Sequence, residues 1–241
     1  MKKHIPNLLT CLNLFSGCIA CVMAFGGEYG LVVVFVLLGC VFDFFDGFAA
    51  RLLKAPSAIG KELDSLADMV TSGMAPSLMV FRYLSDNITE ASLLYPLHGY
   101  VPYFAFLLAV FSGIRLAKFN IDQRQTTSFI GLATPANALF WISFCYGLHT
   151  QVTGRYDWVL FLILALVMVF SLLLVSELPM FSLKIKSFGL KGNESRYLLI
   201  LCLLISVILA PAWALAITIL FYIVLAVTEY ARMPHGGEQN Q

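Results

Sequence analysis

GLVVVFVLLGCVFDFFDGFAARLL, residues 30–53, is the stretch on which the fold turns. It is apolar on every side, so no soluble surface is set against a buried one, and it is long enough as a helix to cross a hydrocarbon core roughly 30 Å thick. Its ionisable residues, Asp43, Asp46 and Arg51, all fall towards its end. The stretch therefore reads as a transmembrane helix with acids near one membrane face.

The rest of the chain agrees. Of 241 residues, 60% are hydrophobic and 12% charged, and mean hydropathy is +0.85. A soluble domain is about 45–50% apolar and about 25% charged. Further apolar blocks fall near 6–25, 59–81, 101–119, 129–149, 157–177, 196–209 and 212–231, the last two divided at Pro211. None shows the alternation of barrel strands, and in lipid only helices or closed barrels satisfy the backbone. The expectation is an all-α, polytopic transmembrane helix bundle of about eight helices. Lys2 and Lys3 before the first block imitate a secretory signal, but no small-residue cleavage site follows, and Pro6, Asn7, Thr10 and Asn13 interrupt the apolar core, so the block is read as the first helix.

Of the 15 lysines and arginines, all but Arg82 and Arg155 fall on one side of such a bundle. The positive-inside rule makes that side the cytoplasm and puts both termini there. With a net charge of +1, this distribution excludes a basic surface for nucleic acid. The six cysteines lie inside predicted helices and imply no disulfide framework; Cys18 and Cys21 form a CxxC with no second metal-binding pair. Asn87-Ile88-Thr89 matches a glycosylation sequon, but a pattern so short is better read as an ordinary external loop. The organisation expected is a six-helix unit over 1–178, a cytoplasmic connection with two further helices of the same bundle over 179–232, and a polar tail over 233–241. The connection holds Lys184, Lys186, Lys191 and Arg196.

The acids carry the chemistry. Asp43, Asp46, Gly47 and Ala50 stand at i, i+3, i+4 and i+7, one stripe of a helix; Gly60, Asp64 and Asp68, at i, i+4 and i+8, form a second. A turn around Pro56 lets the stripes face each other. Each aspartate at mid-membrane costs roughly 2.5–3.5 kcal/mol on insertion scales. Salt bridges to Arg51, Lys54 or Lys61 would offset some of that cost, and so would cations. Carboxylates converging from two stripes suit hard divalent ions, and paired ions suit phosphoryl transfer. Gly47 and Ala50 admit two readings, close helix packing or room for a ligand. Arg51 offers a donor fork to a phosphate or simply marks the interface. A divalent-cation transporter is the alternative of another class, but its acids should be spread through the depth of the membrane rather than gathered at one end.

Asp43-x2-Asp46-Gly47-x2-Ala50-Arg51-x8-Gly60-x3-Asp64-x3-Asp68 resembles, at every fixed position, the signature of the CDP-alcohol phosphatidyltransferases. The resemblance implies that fold, with Asp43, Asp46, Asp64 and Asp68 holding divalent cations, two ions of Mg or Mn. It implies that Asp68 is also the catalytic base, and that Gly47, Ala50 and Arg51 bind the cytidine diphosphate part of the CDP-diacylglycerol donor. Asn7 and Thr10, one turn apart on the first helix, either contact the same donor or cap that helix; the adjacency of the site favours donor contact. The flanking stretches Ile5–Leu14, Glu62–Pro76, Arg115–Asn120 and Gly131–Pro135 look most like the bacterial and archaeal phosphatidylserine synthase branch. That likeness implies transfer of the phosphatidyl group to L-serine with release of CMP. Serine brings a carboxylate, so Arg115 and Lys118, with Asn120 as a polar partner, are its candidate contacts. Phosphatidylglycerophosphate synthase is the alternative within the family; its phosphorylated acceptor would call for more cationic residues than this chain supplies. The resemblance further implies a prokaryotic inner-membrane enzyme, a cytoplasmic active site and a homodimer.

Overall fold

The computed structural model describes residues 4–54, 57–121, 129–152, 154–180 and 193–232. Lys2, Lys3, Pro56, Arg124, the basic run through Lys184, Lys186 and Lys191, and the tail 233–241 lie outside the described residues. Eight helical rods are present among those described. The first two are α1 (His4–Gly26) and α2 (Tyr29–Leu52). The third is continuous, running as α3 (Ala58–Asp68), a π turn (Met69–Met74) and α4 (Ala75–Asn87). A 3₁₀ segment (Val101–Phe106) leads into α5 (Leu107–Ile121); α6 (Thr134–Gln151), α7 (Asp157–Val175), α8 (Glu194–Leu209) and α9 (Ala214–Arg232) follow. The predicted division at Pro211 is real: Ala210 leaves helical geometry and Pro211 opens a 3₁₀ turn before α9.

Two expectations from apolarity alone need correction. The block predicted to begin at 129 starts as a helix only at Thr134, because Phe129 and Ile130 pair antiparallel with Met180 and Pro179 in a two-residue ladder. The third rod runs on to Asn87 rather than ending near 81. Five segments are long and apolar enough to cross a membrane: His4–Gly26, Tyr29–Leu52, Val101–Ile121, Asp157–Val175 and Pro211–Tyr230. The protein is an integral membrane protein.

The packing follows from that solvent. On α1 the buried positions are small or polar, including Thr10, Asn13, Ser16, Gly17 and Ala20, while Leu8, Phe15 and Val22 face outward. Lipid supplies no hydrophobic drive between helices, so close-fitting small residues and internal hydrogen bonds take over. α1 ends in a Schellman motif: Gly27 adopts φ +76°, the Gly27 amide donates to the Ala24 carbonyl at 3.1 Å, and the Glu28 amide donates to the Met23 carbonyl at 3.0 Å. The chain thereby reverses at once into α2, which packs along α1. The aromatic core lies elsewhere, where Phe140 and Trp141 of α6 meet Phe170 of α7; Phe140 and Phe170 stack at 4.1 Å. α9 docks on α6, and Ser143 Oγ donates to the Ala212 carbonyl at 2.8 Å.

Candidate active site

The site forms where the ends of α1 and α2 meet the start of the third rod. Ser57 caps that rod, its side chain accepting from the Gly60 amide at 3.0 Å. Gly60 is needed for close approach: a Cβ there would fall 2.8 Å from Ser57 Oγ and 3.0 Å from Asn7 Oδ1. α3 therefore rests directly on α1 and turns Asp64 and Asp68 towards α2.

Asp43, Asp64 and Asp68 converge, with one carboxylate oxygen from each lying within 4.8 Å of the others. Asp64 Oδ1 is buried without a hydrogen-bond partner among the described residues. Asp46 stands one turn away and faces a different neighbour, accepting a hydrogen bond of 2.5 Å from the Thr10 hydroxyl. The two stripes thus supply a triplet plus one acid, rather than one even group of four. An all-oxygen cluster of this kind suits a hard divalent cation, and the orphaned Asp64 oxygen is what such an ion would occupy.

Beside the triplet opens a cleft of about 250 Å³, whose wall includes Asn7, Thr10, Asp46, Gly47, Ala50 and Asp64. Gly47 has open space before it: a Cβ there would meet no heavy atom within 4 Å. Gly47 is therefore not pressed against a neighbouring helix along its Cα–Cβ direction. Ser57 and Lys61 also line this cleft. Lys61 had been read only through its charge; the capping serine could have been found from its place three residues before Gly60. Arg51 is exposed, and its Nε donates to the carbonyl of Gly47 at 3.0 Å, so it closes the end of its own helix.

The residues assigned to serine separate. Arg115 is buried, donates through Nη1 to Thr134 Oγ1 at 3.1 Å, and interacts electrostatically with Asp68. Its Nε is buried without a hydrogen-bond partner among the described residues. Asn120 ties α5 to α3: its side-chain amide donates to Ser65 Oγ at 2.9 Å, and its carbonyl accepts from Lys61 Nζ at 3.0 Å. Lys118 is exposed at the same end of α5. The residue that sequence reading missed is Asn13, whose side-chain amide donates to Asp68 Oδ1 at 3.3 Å. Its signal was present, since Asn7, Thr10 and Asn13 stand at i, i+3 and i+6.

The profile of the CDP-alcohol phosphatidyltransferases matches residues 3–229, which takes in both acid-bearing stripes and every helix. The chain belongs to this family. Among similar proteins, the CDP-diacylglycerol–serine O-phosphatidyltransferase of Bacillus subtilis is 37% identical over 146 residues, covering 60% of this chain and 77% of that protein. The protein of the same name from Helicobacter pylori is 28% identical over 227 residues, covering 93% of this chain and 90% of the other. The archaetidylserine synthase of Methanothermobacter thermautotrophicus is 28% identical over 156 residues, covering 63% and 62%.

Proposed function

We propose that the protein is a phosphatidylserine synthase, transferring the phosphatidyl group of CDP-diacylglycerol to the hydroxyl of L-serine and releasing CMP. The observation that carries this reading is the carboxylate triplet of Asp43, Asp64 and Asp68, joined through Asp64 to a cleft that Asn7, Thr10, Asp46, Gly47 and Ala50 also line. Serine as acceptor is supported by the names of relatives that cover most of the chain and by a buried cation, Arg115, in electrostatic reach of Asp68.

In this reading Asp43, Asp46, Asp64 and Asp68 hold two divalent ions, Mg or Mn. When bound, these ions would neutralise charge on the diphosphate and on the entering oxygen. Asn7, Thr10, Gly47, Ala50 and Arg51 bind the donor; Thr10 keeps Asp46 turned to the cleft, and the bare Gly47 surface leaves room for the nucleotide. Arg115 receives the serine carboxylate, with Lys118 and Asn120 forming the rim at the same helix end. Asp68 takes the proton as the serine oxygen bonds to the phosphorus bearing diacylglycerol, and the bond from that phosphorus to the CMP oxygen breaks. Half-buried carboxylates and a buried arginine form a preorganised site where such interactions are stronger than in water.

We further assign residues 1–178 to the catalytic unit and 179–232 to a connection and two helices that complete the bundle. The site faces the cytoplasm of a prokaryotic inner membrane, the protein is a homodimer, and no nucleic acid is bound. The test is an acceptor panel with purified protein, CDP-diacylglycerol and Mn²⁺ or Mg²⁺, read as CMP release and lipid product. Serine should give phosphatidylserine. Turnover with glycerol 3-phosphate instead would move the protein to the phosphatidylglycerophosphate branch, and Mn²⁺ flux into liposomes without CMP release would defeat the enzyme reading.

A further inference from the structure

Asn13 lies deep in the bundle, one turn beyond Thr10 on the face of α1 that turns to the acids, and is fully buried. A primary amide without partners is costly in such a place, and only part of this one is satisfied. Nδ2 donates to Asp68 Oδ1 at 3.3 Å, whereas Oδ1 has no partner among the described residues.

The residue is also closely surrounded. The backbone carbonyl of Asn13 accepts from the hydroxyl of Thr71 at 3.1 Å, which fixes α1 to the π turn. On the other side α2 closes over it at Gly39, where a Cβ would come within 2.9 Å of Asn13 Oδ1. The π turn thus fixes the backbone of Asn13 and α2 lies close over its amide, whose side chain touches one oxygen of one carboxylate.

Asp68 sits between two demands. It belongs to the triplet with Asp43 and Asp64, and in the reading proposed above it must also receive a proton. A carboxylate has two oxygens and swings easily about its last torsion. A fixed donor to Oδ1 removes that swing, and leaves Oδ2 directed by default. Hydrogen bonds from outside the ligand set commonly orient acidic ligands in this manner, and their loss costs about 10–100-fold in metal affinity or activity.

We propose that Asn13 is a positioning residue for Asp68: its amide holds Oδ1, so that Oδ2 is presented to the cation and the acceptor hydroxyl. The hydroxyl half of this inference rests on the transferase reading; the cation half does not. Asn13 is thus more than a hydrogen bond between helices, which would serve folding alone.

The test is a double-mutant cycle in Mn²⁺ affinity, measured by electron paramagnetic resonance on the full chain in lipid nanodiscs. Asn13→Ala should weaken Mn²⁺ binding about 10–100-fold. In an Asp68→Ala background the same change should alter affinity less than about twofold, since the oriented group is gone. An equal loss in both backgrounds, no loss in either, or no Mn²⁺ binding by the unaltered protein overturns the proposal. Should Asn13→Ala not fold, Asn13→Ser and Asn13→Val decide: serine retains a donor and should bind Mn²⁺ more tightly than valine, which has none. Equal affinities would overturn it. In turnover, Asn13→Ala should lower kcat at least about tenfold with donor KM within about twofold; unchanged kcat would overturn the hydroxyl half. Because the cycle uses no acceptor, a protein that orders Mn²⁺ through Asn13 but ignores serine would refute the serine reading and leave this one standing.

Discussion

Aspartates occur at both ends of this bundle, and the two ends treat them differently. Far from the cleft, Asp86 pairs with Arg82 at 2.8 Å, and Asp157 accepts from the Ser92 hydroxyl at 2.6 Å and the Leu93 amide at 3.0 Å. Each of those acids has a basic or neutral donor of its own and pins a loop or a helix turn. Beside the cleft, Asp43, Asp64 and Asp68 have one another, and among the described residues the hydrogen-bond donors that reach the group are few: Asn13 to Asp68, and Thr10 to the neighbouring Asp46. Like charges gathered in a low-dielectric setting repel strongly. A paired acid is a finished contact, whereas a cluster of acids is finished only by something brought from outside. Burial alone does not mark the site; the shortage of donors does.

The difference between the two ends is greatest at Asp68. Asp68→Asn should reduce CMP release by about 10²–10⁴-fold, the range for loss of a general base, while the thermal midpoint in detergent stays close to that of the unaltered protein. Loss of the fold in place of loss of turnover would put Asp68 with Asp86 and Asp157. A smaller effect is expected at two glycines on facing stripes. Gly47→Leu projects into open space, so it should raise the donor KM about tenfold without changing stability, as removal of binding shared by ground and transition states does. Gly60→Ala meets Ser57 and Asn7, so it should cost about 1–3 kcal/mol of stability instead. Denaturant melts and donor titrations of both variants, side by side, test the assignment of one glycine to the ligand and the other to packing. The smallest effect belongs to the far end: Asp86→Asn should leave turnover unchanged and cost at most about 1 kcal/mol, as exposed ion pairs do. Any fall in CMP release there would mean the two ends are coupled.

Much of this was legible in the chain, because a membrane writes its thickness into the sequence. α2 was expected over 30–53 and runs Tyr29–Leu52, and the helical stripe rule was enough to bring Asp43 to Asp64 and Asp68. The stripe rule was too coarse for Asp46. Three residues on an α-helix turn about 300°, so Asp46 lies a turn along and some 60° around from Asp43, near enough to share a face yet far enough to choose Thr10. Apolarity likewise could not separate the ladder at Phe129–Ile130 from a helix, since a short apolar run suits either. Asn13 was visible as a polar interruption in α1, but its use depends on α2, α1 and the π turn meeting at one point, which no local pattern encodes. For Arg51 the pattern showed the charge at the helix end but not that its Nε would donate to the carbonyl of Gly47.

The π turn over Met69–Met74 has a consequence for how this chain can change. Such a turn is an α-helix carrying one surplus residue, and one residue is worth about 100° of rotation. Upstream of it, Asp64 and Asp68 keep time with the site; downstream, Ala75, Leu78, Met79 and the other buried residues of α4 keep time with the bundle interior. The two halves are out of phase by design, like gear wheels offset by one tooth. Deleting a single residue from 69–74 would restore a regular helix and turn Asp64 and Asp68 by about 100° relative to α4. Beyond the identity of its residues, the rod is thus constrained in its length between Asp68 and Ala75.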